Sequence, residues 1–114
     1  MNAQRRKKIR DILAEIDGVA EELAEAEPNE VAELVRDVEL LADKLAGLAD
    51  DERDAADAVH ESFEEQRETM EGLADIISDT AESLHDATAE EKPYKMAAAI
   101  RDIIGDLETT DGIA

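Results

Sequence analysis

The chain has 114 residues, the size of one domain, and a formal charge of −20; a field of that sign repels DNA, RNA and anionic lipid and attracts basic surfaces. Phe63 and Tyr94 are the only aromatics and cysteine is absent, so the core is aliphatic and thin. Disulfides and thiolate metal sites are thereby excluded, and no aromatic interleaves the basic residues 5–10 for base stacking.

No apolar run approaches a signal-peptide core or a membrane span. The expectation is therefore a soluble, cytoplasmic chain that makes no direct contact with nucleic acid or membrane. Residues 1–114 read as a single all-α domain, with a basic segment over 1–10 and a flexible tail over 109–114. Within that basic segment Arg5, Arg6, Lys7, Lys8 and Arg10 supply five of the twelve Lys and Arg before the first acid, Asp11.

The first predicted helix runs from Ala3 to Ala26, because Ile9, Ile12, Leu13, Ile16, Val19, Ala20 and Leu23 recur at spacings of three and four. Pro28 and Asn29 interrupt it, and Asn29 is the expected N-cap of a second helix with Glu30 at its positive end. Val31, Leu34, Val35, Val38, Leu41, Leu45 and Leu48 line one face of that helix. Gly47 to Asp50 supply its expected stop.

The third element is predicted as one long central helix over 51–87. Ala56, Val59, Phe63, Gln66, Met70, Leu73, Ile77, Ala81 and Leu84 form its heptad seam, with Gln66 either setting register or marking an interruption in packing. Such a rod would span about 55 Å. The flanking helices are too short to cover it, so Val59, Phe63, Gln66, Met70, Leu73, Ile77 and Leu84 are expected to serve as the seam of a homodimer. Gly72, off the seam, is a possible bend. A fourth helix starts near Lys92-Pro93, where proline suits a first turn, and uses Met96, Ala97, Ile100, Ile103, Ile104 and Leu107. No strand pattern competes, and the fold class is an all-α antiparallel bundle or coiled coil of about four helices.

Between residues 50 and 91 lie sixteen Asp and Glu against only Arg53 and Arg67. Asp54, Asp57, Glu61, Glu64, Glu65, Glu68, Glu71, Asp75, Asp79, Glu82 and Asp86 are the expected partner-binding residues. Steps of three and four set one carboxylate about every 5 Å along a helix, against one phosphate per about 3.4 Å on a strand of B-DNA. Two such helices side by side would approach duplex charge density, the charge pattern of a DNA mimic. An amphipathic helix in an acidic protein produces the same stripe for solubility alone.

Chemistry is sparse. Asp57-x-x-His60 and Glu82-x-x-His85 carry the carboxylate-histidine spacing of di-iron bundles, but the seam leaves His60 at its edge and Glu82 and His85 outside it. Asp50-Asp51-Glu52 lacks the spaced loop of a calcium site. No pocket is evident that would shift a pair of carboxylates for acid-base work. No catalytic, cofactor or metal residue is therefore assigned, and the chain is read as a non-enzyme.

The opening Met1-Asn2-Ala3-Gln4-Arg5-Arg6-Lys7-Lys8-Ile9-Arg10-Asp11-Ile12-Leu13 resembles the start of small acidic helical proteins of uncharacterised function from prophages and mobile elements. Glu61-Ser62-Phe63 and Gln66-Arg67-Glu68-Thr69-Met70-Glu71 look like a worn form of two further segments of that group, although the proline before Glu61 is missing. The resemblance covers about half the chain and implies a mobile-element context, with the host cytoplasm as its location. By analogy of size and charge it implies an inhibitor of a host defence protein, of the anti-CRISPR kind. The contrasting expectation is a coiled-coil scaffold whose acidity serves solubility or adaptation to high salt.

Overall fold

The computed structural model describes all 114 residues. It contains four α-helices and no strand: α1 Ala3–Ala24, α2 Val31–Asp57, α3 Glu64–Ala87 and α4 Pro93–Glu108, with a single 3₁₀ turn, Glu61–Phe63, before α3. The all-α reading is correct. The helices run up and down around one core; α2 packs chiefly on α3 and α1 chiefly on α4, in a body of 55 × 19 × 19 Å.

Each helix turns an aliphatic stripe inward. Ile9, Leu13, Ile16 and Leu23 of α1 meet Val38 and Leu45 of α2, Ile77 and Leu84 of α3, and Ile100 and Leu107 of α4 in a continuous cluster. Full burial of side chains of this kind is worth about 1.5–3 kcal/mol each. Buried Thr80 breaks the apolar pattern without cost, since its hydroxyl donates to the Ile76 carbonyl at 2.8 Å.

The boundary between the second and third elements differs from expectation. Gly47 does not stop α2, which continues to Asp57, and no long helix spans 51–87. Leu45, Leu48, Ala49, Glu52 and Ala56 keep the inward period across Gly47, and tertiary burial outweighs the roughly 1 kcal/mol that a mid-helix glycine costs. The break comes instead at 58–63. His60 adopts an extended conformation and its Nδ1 accepts a hydrogen bond from the Ser62 amide at 3.1 Å. That side chain competes with the helical ladder and starts a new helix.

Folding back lets α2 and α3 cover each other, which a straight rod would not allow. It also dismantles the expected dimer seam. Leu73, Ile77 and Leu84 are buried within the protomer, whereas Val59 and Met70 are only partly covered and Phe63 and Gln66 are exposed. α3 passes unbroken through Gly72.

Two end details are also corrected. Asn29 does not cap α2; Glu30 holds that position without a side-chain hydrogen bond, whereas Asn2 caps α1 by accepting from the Arg5 amide at 2.7 Å. The tail is not loose: Ile113 is fully buried. Gly112, at φ 96°, reverses the chain beside Leu73 and so returns Ile113 to the core.

Candidate functional site

The acidic residues named from sequence lie on two helices rather than one rod. Asp54 and Asp57 end α2, Glu61 sits in the 3₁₀ turn, and Glu64, Glu65, Glu68, Glu71, Asp75, Asp79, Glu82 and Asp86 follow along α3. All are exposed except Glu71, which is partly covered. The periodicity therefore located their side of the helix correctly.

Their charges are not equally free. The two arginines of this region clamp the hairpin: Arg53 reaches Asp75 at 3.1 Å and Asp50 at 3.3 Å, while Arg67 reaches Asp57 at 3.4 Å and Glu71 at 3.2 Å. The hydrogen bond that Arg53 donates to Asp75, together with the neighbouring negative charges, raises its guanidinium above its ordinary range. These exposed pairs are worth little individually, but they partly neutralise Asp57, Glu71 and Asp75.

Glu61, Glu64, Glu65 and Glu68 remain without ion-pair partners within two turns at the start of α3. Glu64 and Glu65 occupy the first turn, where the helix dipole favours anions. This explains how the sequence tolerates such crowding. Glu61, Glu64, Glu68 and Glu71 surround Arg67 in a shallow recess with no apolar lining. At the far end Asp79, Glu82 and Asp86 continue the exposed row. Such a surface offers long-range attraction and hydrogen-bond acceptors to cations and basic side chains, and no enclosed site for chemistry.

The histidines serve local structure. His60 lies 2.8 Å from the Ser62 hydroxyl at the turn, and His85 Nε2 lies 2.9 Å from Asp43 on α2. Neither is joined by its i−3 carboxylate in a cluster able to hold a metal ion.

A different carboxylate is the most unusual group in the molecule. Glu52 is fully buried; its Oε1 accepts from Arg5 Nη1 at 2.8 Å and its Oε2 lies 3.6 Å from the Met1 ammonium, beyond hydrogen-bond reach. Asp50 and Asp51 beside it face solvent, so the three acids form no shared site. Sequence reasoning placed Glu52 at a helix boundary. Its spacing of four from Leu48 and from Ala56 would have marked a core position had α2 been extended.

This ion pair also accounts for part of the basic segment. Arg5 is spent inside the molecule and Lys7 pairs with Asp11 at 2.8 Å, while Arg6, Lys8 and Arg10 stay exposed. No helix is long and apolar enough to cross a membrane. No family model, curated protein or solved structure matches the chain.

Proposed function

We propose that this chain is a non-enzymatic interaction protein that offers the α3 acidic face to the basic, nucleic-acid-binding surface of another protein and blocks it. The observation that carries this reading is the row of exposed carboxylates left unneutralised on α3, densest from Glu61 to Glu68, on a helix held rigid by its packing against α2. A fixed array loses little conformational freedom on binding and steers a cationic partner from a distance. The resemblance of residues 1–13 and 61–71 to mobile-element proteins favours a host defence protein, of the kind that anti-CRISPR inhibitors target, as the partner. The hairpin shortens the continuous array, so the imitation is of a short stretch of nucleic-acid backbone.

The test is capture of partners on the intact chain at low salt, identification of what molar salt releases, and measurement of binding by that protein with duplex DNA as competitor. Changing Glu61, Glu64, Glu65, Glu68 and Asp79 together to Gln is expected to abolish binding with helicity intact, and DNA is expected to compete. Retained affinity in that variant, or indifference to DNA, overturns the proposal.

One observation favours the alternative of a scaffold whose acidity serves solubility or high salt. Exposed acids also crowd α1 and α2, at Asp11, Glu15, Glu21, Glu22, Glu33 and Asp37. That reading requires helicity to fall between molar salt and about 0.15 M, where screening weakens, and the Gln series to leave every interaction unchanged.

A further inference from the structure

The bundle is not equally thick along its length. α4 has 16 residues against 24 in α3, and the chain that follows it closes over Leu73, where a Cβ on Gly112 would lie 3.1 Å from Leu73 Cδ2. One turn nearer the start of α3 the cover has run out. Met70 is half-buried, Gln66 is exposed and Phe63 is 59 % exposed. Together with the Met1 side chain these residues line a recess beside the hairpin end, in line with the place α4 would occupy if it continued. The only phenylalanine of the chain thus lies on an unfilled ledge.

We propose that this ledge is the contact between two copies of the chain related by a twofold axis, laid tip to tip, so that the α2–α3 end of each supplies the cover that α4 fails to give the other. The charges around it identify the occupant. On one side is the start of α1. Asp17 lies 3.6 Å from Arg101 of α4, which shows the side of α1 that looks toward α4; Arg10 and Arg6 share that side at helical spacings of seven and four.

Neither arginine has an ion partner within the protomer. On the other side is Glu65, which lines the recess itself, with Glu61 one turn before it in the neighbouring recess around Arg67; both are without ion partners. At the ledge itself a partner of a single sign meets like charge on one edge, at Arg6 and Arg10 or at Glu65, whereas the face that carries Glu64 and Glu68 lies outside it. A twofold contact sets the basic edge of each copy against the acidic edge of the other, the self-complementarity that an isologous interface requires. Elsewhere two molecules of charge −20 repel, so the ledge, where the sign alternates, is where they can meet.

This inference does not rest on the proposed partner, whose capture is measured separately. Sedimentation equilibrium of the intact chain at about 0.15 M salt is expected to give a dimer that is half dissociated near about 100 µM, a weak association suited to a small contact. Phe63→Gln with Met70→Gln, which leaves the charge and the core unchanged, is expected to weaken dimerisation at least about tenfold with unaltered circular dichroism. Arg6→Glu with Arg10→Glu is expected to be monomeric, as is Glu61→Lys with Glu65→Lys. An equimolar mixture of these two variants is expected to restore the dimer mass, because each basic edge then meets an acidic one. A monomer at every concentration up to about 1 mM, unchanged association after the Phe63 and Met70 substitutions, or failure of the mixture to re-associate would each overturn the proposal.

Discussion

The two halves of the seam on α3 carry the same heptad spacing and have different fates. From Leu73 to Leu84 it is sealed in the core, with Ile77 and Leu84 at zero exposure, whereas from Phe63 to Met70 it borders solvent. Gln66 is the one polar residue of the seam's open stretch, but residue type does not account for Phe63 and Met70, since phenylalanine and methionine bury as much surface as isoleucine. The difference follows from what lies opposite. α4 and the chain that follows it cover the first stretch, and neither reaches the second.

The largest effect is expected at the charged group that anchors the start of α1 near the ledge. Arg5→Ala removes the only hydrogen-bond donor to fully buried Glu52 and is expected to cost about 3–5 kcal/mol in denaturant unfolding. Replacing Arg5 and Glu52 together by apolar residues of similar volume is expected to recover most of that loss.

Ile77→Ala, in the sealed half, leaves a cavity in the core and is expected to cost about 2–5 kcal/mol by the same measurement. Gly47→Ala probes α2, which packs on α3. A Cβ there meets nothing within 4 Å, so stability is expected to rise by about 0.5–1 kcal/mol, read as a higher Tm. Phe63→Ala, in the open half, is expected to change monomer stability by less than about 0.5 kcal/mol. A large loss there would mean that the ledge is already filled within the protomer.

How much of this was legible in sequence differs from element to element. α1 and α4 are bounded closely because the Pro28-Asn29 break, Pro93 and the Ile/Leu period are local signals; the Asn2 cap of α1 is a feature of the structure. The division at 58–63 is not legible in this way, because Ala56, Val59 and Phe63 hold the heptad spacing straight through the turn. The interruption is signalled only by the side chain of His60 capping Ser62, a feature no periodicity reports. Gln66, the polar position in the predicted seam, lies exposed in the uncovered half. The acidic face was legible as a direction on α3, but which of its charges are free was not, because Arg53 and Arg67 choose partners across the hairpin.

The all-α class, the inward stripes of α1, α2, α4 and the later half of α3, and the solvent-facing row of carboxylates are written in the local sequence. All three follow from a 3.6-residue period that a short segment carries within itself. Where the chain turns, the entry of Glu52 into the core to meet Arg5, and the division of the seam into a sealed and an open half are set by tertiary packing. Each depends on which residues meet across long sequence separations, and burial gained there outweighs the local preferences of Gly47 and of the helix boundaries.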